Sequence, residues 1–240
     1  MVKPQVYIAK GSAPWYNTDY WPDKDKVISI DESIPGQATV TCKDVTDMNY
    51  MFGHCRDLTS LDLSNFDTSK VINMWGMFCG CRSLTTLDLS GFDTSNVTDM
   101  SFMFDSCYSL TTLDLSNFNT SNVEDMDFMF SCCFKLTSLD LSNFDTSNVG
   151  NTYAMFSDCR SLTTLDLTSF DTSKVINMSY MFYNCPRLTT IKGVIDMKSC
   201  EYCGNMFTNC PKLTGVKIKN PPAGFEVHAC IPKSKYTIVS

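Results

Sequence analysis

The sequence predicts an α+β repeat solenoid, and one recurring pattern carries that prediction. A 26-residue unit that begins CRSLTTLDLSGFDTSNVTDMSFMF at residue 81 returns along the chain with few changes. Each copy opens on a cysteine, and the seven cysteines are Cys55, Cys81, Cys107, Cys133, Cys159, Cys185 and Cys210. A fixed period of 20 to 50 residues is typical of chains in which each repeat forms one coil of a stacked superhelix.

The first half of each repeat predicts a strand. Apolar and polar residues alternate from Leu87 to Leu89, which favours a half-buried strand with inward leucines and an outward Asp88. Stacking would join these strands in one parallel β-sheet. The tripeptide Asp93-Thr94-Ser95 then predicts a turn, because its carboxylate can accept N–H groups two residues on.

The second half of each repeat predicts a helical turn. Met100, Met103 and Phe104 follow the spacing i, i+3, i+4, which is that of one face of a helix. We therefore expect short helical or 3₁₀ turns on the face of the core opposite the sheet. A single repeat cannot bury its apolar side chains alone, so neighbouring repeats must cover both faces.

Three regions follow from where the period holds. Residues 1–39 break the pattern and are predicted to form an N-terminal cap, with Trp15 and Trp21 in its lid and a first strand at 27–30. Residues 40–220 hold about seven repeats. Residues 221–240 are predicted to form a C-terminal cap with strand-like runs at 225–230 and 236–239, since terminal repeats must hide the open ends of the core.

Charge and hydropathy disfavour several classes of partner. The net charge is −7, and residues 40–210 carry 20 acidic against 10 basic side chains, which disfavours binding to nucleic acid. No run of 18 apolar residues is present, so we expect no membrane insertion. The first residues lack the apolar segment of a signal peptide.

The seven periodic cysteines share one context, which favours a row of buried thiols that fill space and donate weakly to turn carbonyls. Disulfides between neighbouring repeats are the alternative. Cys200 and Cys203 occupy core positions of the last repeat and are predicted to pack there.

The repeat string LDLSNFDTSNVTDMSxMFxxC resembles the 26-residue repeat of BspA-type bacterial surface proteins, over residues 40–215. The resemblance implies a right-handed leucine-rich-repeat superhelix that is exposed outside the cell. It further implies adhesion to host proteins or neighbouring cells, and it brings no catalytic residues.

One candidate ligand-binding site is a column of aspartates on the exposed strand positions. Its members are Asp62, Asp88, Asp114, Asp140 and Asp166. Carboxylates about 5 Å apart repel by roughly 3 kcal/mol at an effective dielectric of 20, so the column must be well solvated, partly protonated or bridged by cations. We expect a solvated column without a bound metal; a docked protein or glycan and a calcium site are the alternatives.

A second candidate site is a column of aromatic residues between the inward positions of the predicted helical turn. Its members are Tyr50, Trp75, Phe102, Phe128, Tyr153 and Tyr180. Such a column fits packing between repeats and ligand contact equally well.

The sequence therefore predicts a non-catalytic recognition or adhesion module on the cell surface, with a protein or glycan as partner. No catalytic residue, metal site or cofactor is predicted, because the two histidines, His54 and His228, stand in unrelated contexts. The alternative is a purely structural element, such as a surface spacer or a virion decoration, without a ligand of its own.

Overall fold

The computed structural model of the chain describes residues 27–31, 37–42, 45–64 and 66–240. At the N-terminal end, β1 (Val27–Asp31) pairs antiparallel with β2 (Gln37–Cys42), and β2 pairs parallel with β3 (Ser60–Asp62) of the first repeat. The predicted strand at 27–30 is confirmed, although β2 is the strand that pairs with the repeats. Trp15 and Trp21 lie outside the described residues.

Further strands lie towards the C-terminus. They are β4 (Thr164–Asp166), β5 (Thr190–Lys192), β6 (Ile195–Asp196), β7 (Val216–Lys219) and β8 (Tyr236–Ile238). β4 pairs with β5, and β7 lies between β6 and β8, all in parallel. The predicted strand at 236–239 is confirmed by β8. The predicted strand at 225–230 is wrong, because α1 (Phe225–His228) is helical there and a 3₁₀ helix (Lys233–Lys235) follows it.

The predicted fold class, a right-handed leucine-rich-repeat solenoid with one parallel sheet and helical turns opposite it, is wrong. Within the described residues, α1 and the short 3₁₀ helix are the only helices, and both follow the repeats. In the part of the chain that the structure describes, the strands form three small sheets and not one continuous sheet. Successive repeats nevertheless lie side by side in register, as shown by a run of single parallel bridges that links Asp47, Asn73, Asp99, Asp125, Asn151, Asn177 and Tyr202.

The second half of each repeat, residues 99–107 and their equivalents, is here called the methionine segment. Its N–H groups alternate between two kinds of acceptor. The even-numbered N–H groups from 100 to 106 donate to carbonyls 25 residues ahead, in the next repeat, at 2.8 to 3.1 Å. The odd-numbered groups from 103 to 107 donate to carbonyls three residues back, at 3.0 to 3.2 Å. Each segment is thus a chain of tight turns that is hydrogen-bonded to its neighbour.

Two residues of each methionine segment adopt the left-handed conformation, which explains why the predicted helical turn does not form. Phe102 and Ser106 both have φ of 58°, and the equivalent positions of the other repeats are also positive. A left-handed residue interrupts an α-helix and costs roughly 1–2 kcal/mol outside glycine. The spacing of Met100, Met103 and Phe104 therefore reflects a series of turns, which buries the same three side chains as a helix would.

The first half of each repeat, residues 84–90 and their equivalents, is here called the leucine segment. Burial alternates along it as predicted, since Leu87 and Leu89 are buried and Asp88 is exposed. Hydrogen bonds between leucine segments are long in the middle of the chain, with 3.3 Å from Thr111 N to Thr85 O. This segment therefore contributes mainly apolar packing to the core.

A column of buried threonines completes the backbone pairing at the turn after the leucine segment. Thr94 Oγ1 donates to the carbonyl of Asn119 at 2.9 Å and accepts the N–H of the same residue at 2.8 Å. Thr68, Thr120, Thr146 and Thr172 make the same pair of bonds to the next repeat. Each hydroxyl thus pairs with a backbone N–H and a backbone carbonyl of the next repeat that have no partner in a strand.

The periodic cysteines are buried and donate to carbonyls of the preceding repeat. From Cys81 to Cys210, each Sγ lies 2.9 to 3.3 Å from the carbonyl oxygen of a phenylalanine 28 or 29 residues earlier. Within the described part of the chain these six form no disulfide. Burial raises the pKa of the Cys107 and Cys159 thiols. The expected row of buried thiols is therefore present, whereas the alternative of disulfides in it is not.

Replacing Leu113 by Ala tests the inward assignment. Leu113 is buried, so we expect the free energy of unfolding to fall by about 2–5 kcal/mol, as in other large-to-small core substitutions. The matched control is Asn122→Lys, at an exposed position that Lys70 and Lys174 hold in other repeats, and it is expected to cost less than about 1 kcal/mol. Urea unfolding followed by circular dichroism measures both; equal losses would contradict the assignment.

Candidate functional site

The aspartate column lies on exposed positions, and each carboxylate is held by its own repeat. Asp88 Oδ1 accepts the N–H of Ser90, and Asp114 Oδ1 accepts that of Ser116, both at 2.9 Å. Asp62, Asp140 and Asp166 accept the equivalent N–H groups. Hydrogen bonds from the serine two residues on lower the pKa of Asp88 and Asp114 and outweigh repulsion from the neighbouring aspartate. The column is therefore charged at neutral pH.

A lysine closes the C-terminal end of the aspartate column. Lys192 occupies the equivalent position of the next repeat, and its Nζ lies 3.2 Å from Asp166 Oδ2. Its exposed side chain neutralises the last carboxylate. Within the described residues, no group of three or more histidine, cysteine, aspartate or glutamate side chains is arranged to hold a metal ion.

The aromatic column forms one continuous set of ring contacts. Successive ring centroids lie 4.4 to 5.8 Å apart from Tyr50 to Tyr180, with the closest pair at Phe102 and Phe128. The rings are half-buried, and they pack on one another across the repeats. Phe102 and Phe128 are stacked, whereas the other neighbouring rings meet at tilted or edge-on angles of 53 to 70°. The column is thus a packing element whose half-buried rings keep part of their surface open to a ligand.

Glycine at position 76 allows this column to stay continuous. Gly76 has φ of 59°, and a Cβ there would lie 2.5 Å from the ring of Tyr50. The aromatic side chain of this repeat is therefore supplied by Trp75, one residue earlier, whose ring contacts both Tyr50 and Phe102.

Half-buried carboxylates lie beside the aromatic column. Asp127 occupies a position held by Ser101 and Ser179 in other repeats. Burial and the neighbouring Asp125 raise the pKa of Asp127 to about 6, and burial also raises the pKa of Asp125. These carboxylates thus differ from the exposed column, whose pKa values are lowered.

An exposed basic strip was not assigned as a site from the sequence. It consists of cations that lie one or two residues after a periodic cysteine, and we call it the basic edge. Its members are Arg56, Arg82, Lys135, Arg160, Arg187 and Lys212. The strip becomes visible only when the repeats are aligned on their cysteines. In a single repeat it is obscure, because the cation occupies either the first or the second position after the cysteine, and Asp57 occupies the second position in one repeat.

Two aromatic rings lie in the middle of the basic edge. Tyr108 and Phe134 stack with ring centroids 4.5 Å apart. The guanidinium of Arg82 lies 5.0 Å from the centroid of Tyr108, and that of Arg160 lies 4.4 Å from the centroid of Phe134. Both outer ring faces are therefore covered by guanidinium groups, and the two arginines are held in place by cation–π contacts.

A shallow groove of about 770 Å³ lies on another part of the repeats, and we call it the side groove. Its lining includes Asn122, Glu124, Asn148, Gly150 and Ile176. The amides of Asn122 and Asn148 donate to serine carbonyls of the preceding repeat at 2.7 and 2.8 Å, which fixes their orientation. The walls are thus polar and ordered. The groove is not evident from the sequence, since it arises only when repeats lie side by side.

No helix in the described part of the chain is both long and apolar enough to cross a membrane.

Replacing Asp127 by Asn tests the electrostatics of the half-buried carboxylates. A raised folded-state pKa gives stability that is present at low pH and is lost as pH rises through about 6. We expect the wild-type melting temperature to rise by about 1–4 °C from pH 7.5 to pH 5. A change of roughly 1 kcal/mol in the free energy of unfolding gives a shift of this size in a domain of this length. Asp127→Asn is expected to raise the melting temperature at pH 7.5 and to reduce its rise towards pH 5; the remaining rise comes from Asp125 and Asp105, whose pKa values burial also raises.

The matched control for this measurement is Asp114→Asn, since the pKa of exposed Asp114 is lowered and its titration falls below this window. Differential scanning calorimetry at both pH values checks the prediction. A wild-type melting temperature that falls towards pH 5, or an Asp127→Asn melting temperature that rises as much as that of the wild type, would contradict it.

Comparisons with known proteins identify a family for the chain. No curated protein matches the chain. Among solved structures, the crystal structure of a leucine rich cell surface protein from Faecalibacterium prausnitzii A2-165 is similar at 17% identity with a TM-score of 0.40, over 80% of this chain. The chain spans 62% of the length of that protein.

One family model matches the chain twice, at residues 29–136 and 110–220. The two matches overlap at 110–136, as expected where one model follows a repeated sequence. They support the general kind of repeat protein that the sequence resembles, but not the BspA-type family in particular. The chain belongs to the family described as "Mycoplasma protein of unknown function, DUF285".

Proposed function

We propose that the chain is a non-catalytic recognition module of the cell surface that binds a macromolecular ligand, a protein or a glycan, in the side groove. The observation that carries this proposal is Gly150. The equivalent position holds Ile72, Thr98, Glu124 and Ile176 in other repeats, so glycine opens a gap in an otherwise filled column.

Backbone geometry does not demand a glycine at this position. A Cβ on Gly150 would meet only the carbonyl oxygen of Glu124, at 3.9 Å, which is ordinary van der Waals contact. The φ angle of Gly150 is not positive, so the backbone does not require a glycine there. A larger residue would therefore fit the fold, and the effect of the glycine is to deepen the groove between Glu124 and Ile176.

The groove offers chemistry that suits recognition. Glu124 supplies an exposed carboxylate, the amides of Asn122 and Asn148 supply fixed polar groups, and Ile176 is 46% exposed. Oriented hydrogen-bonding groups around one apolar contact suit the hydroxyl or amide groups of a glycan or peptide. The groove runs across neighbouring repeats, which favours an extended ligand over a small molecule.

The cell-surface assignment draws on the resemblance of the repeat to BspA-type surface proteins. The interior is nearly the same in every repeat, and it holds in fixed positions a set of exposed residues that differ from repeat to repeat. This combination supports a role in recognition. A spacer without a ligand would have no use for such variation.

Filling the groove tests the proposal. The purified, fluorescently labelled chain is applied to a printed panel of defined glycans and to intact epithelial cells in flow cytometry. We expect saturable binding by the wild type and at least a ten-fold weaker affinity for Gly150→Ile, which places in the groove a side chain already found at Ile72 and Ile176. The matched control is Gly91→Asn, away from the groove, where Asn117 and Asn143 stand in other repeats.

Two results would overturn this assignment. If the wild type bound neither panel nor cells, the structural spacer would be the better account. If Gly150→Ile bound as well as Gly91→Asn, the ligand would lie outside the side groove.

A further inference from the structure

We propose that two copies of this chain pair side by side, with the basic edge of each copy on the aspartate column of the other. This pairing goes beyond ligand binding in the side groove and uses none of the residues that line it.

The basic edge gathers most of the cations of the repeats into one strip. Residues 45–215 contain ten lysines and arginines, and six of them belong to this edge. All six are exposed, and among the described residues Arg160, with Asp158, is the only one of them in a salt bridge. Such a concentration on a chain of net charge −7 calls for an anionic partner.

The geometry of the strip favours recognition by charge over stacking. Arg82 and Arg160 cover the outer faces of Tyr108 and Phe134, and the two rings cover each other. No ring face is left for a nucleic-acid base or a sugar ring. Fixed guanidinium groups suit carboxylates, and Arg160 already binds one: its Nε and Nη2 both donate to Asp158 Oδ1, at 3.0 and 2.8 Å.

The same molecule also carries a row of carboxylates, the aspartate column, which has the same spacing from repeat to repeat as the basic edge. The aspartate column holds one exposed carboxylate in each repeat, and the basic edge follows the same repeats. Asp88, Asp114 and Asp140 are charged at neutral pH, because their pKa values are lowered. A second copy therefore presents a carboxylate to Arg56, Arg82, Lys135 and Arg160 at the same rise per repeat. The repeat of Tyr108 supplies no cation, and the repeat of Arg187 has Lys192 in place of the aspartate.

The order of the two strips makes this surface self-complementary. Within one repeat, Arg82 and Asp88 are separated by a stretch in which Thr85 and Thr86 are exposed, so the strips run side by side along the stack. A two-fold axis parallel to the stack places each basic edge opposite the other copy's aspartate column. Isologous two-fold contacts of this kind are the commonest in soluble homo-oligomers.

The contact is expected to be weak and sensitive to salt. At about 4.8 Å per repeat, the paired strips extend for roughly 25 Å, which places the interface in the small, transient class. Its charges are exposed, and the Debye length falls from about 10 Å at 0.1 M salt to 3 Å at 1 M.

Charge reversal on the two strips tests the pairing without any other partner. The edge variant carries Arg56→Glu, Arg82→Glu and Lys135→Glu; the column variant carries Asp62→Lys, Asp88→Lys and Asp140→Lys, for which Lys192 is the natural precedent. Sedimentation equilibrium at 50 mM salt measures the mass. We expect the wild type to approach twice 27.0 kDa at high concentration and to remain monomeric at 1 M salt.

Each variant alone is expected to stay monomeric, with at least a ten-fold rise in apparent Kd, whereas an equimolar mixture of the two forms a one-to-one dimer. Both variants keep a net negative charge, so overall attraction does not explain a mixed dimer. The control Lys174→Glu, Lys198→Glu, Lys217→Glu changes net charge as the edge variant does, lies off both strips and is expected to pair like the wild type.

Three results would overturn the pairing. The first is a wild type that stays monomeric at about 0.5 mM, a concentration at which a dimer with a Kd near 0.1 mM is mostly formed. The second is a mixture of the two variants that stays monomeric. The third is a control variant that loses pairing as the edge variant does. Binding of heparin or poly-glutamate by the wild type, in the absence of self-association, would assign the edge to another anion. Failure of ligand binding in the side groove would leave these outcomes unchanged.

Discussion

The structure depends on hydrogen bonds between methionine segments of neighbouring repeats. Alternate N–H groups point to the next repeat, and this is possible because two residues in each segment, such as Phe102 and Ser106, are left-handed. The conformational cost at these positions is offset by bonds that leave few buried polar groups unpaired. The only buried, unpartnered side-chain oxygen or nitrogen in the described residues is Asn49 Oδ1, in the first repeat.

Much of the interior could be predicted from one sequence, because the repeats compare with each other. Leu87, Leu89, Met100 and the periodic cysteines all lie in the core as expected, and the Asp93 carboxylate accepts the N–H of Ser95 as the turn chemistry predicts. The helical turn could not be predicted correctly, since a chain of turns buries residues at the same spacing as a helix. What separates the two is backbone conformation, which the residue types at 102 and 106 do not reveal.

The surfaces were predicted less well than the core. The aspartate column is exposed as expected, whereas the aromatic column is half-buried and its rings pack on one another. The basic edge and the side groove depend on which residues become neighbours across repeats. Gly150 illustrates this: one missing side chain creates a gap only because Glu124 and Ile176 lie on either side of it. A regular interior thus leaves function to irregular positions on the outside.

Residue-resolved amide hydrogen exchange tests the central claim most directly. If cross-repeat bonds of the methionine segments hold the stack together, the amides of Phe102 and Phe104, bonded at 2.8 and 2.9 Å, will exchange at least ten-fold more slowly than that of Thr111, bonded at 3.3 Å in a leucine segment. If the Thr111 amide and its equivalents are instead the most protected, a continuous sheet of leucine segments would hold the repeats together, and the account would be contradicted.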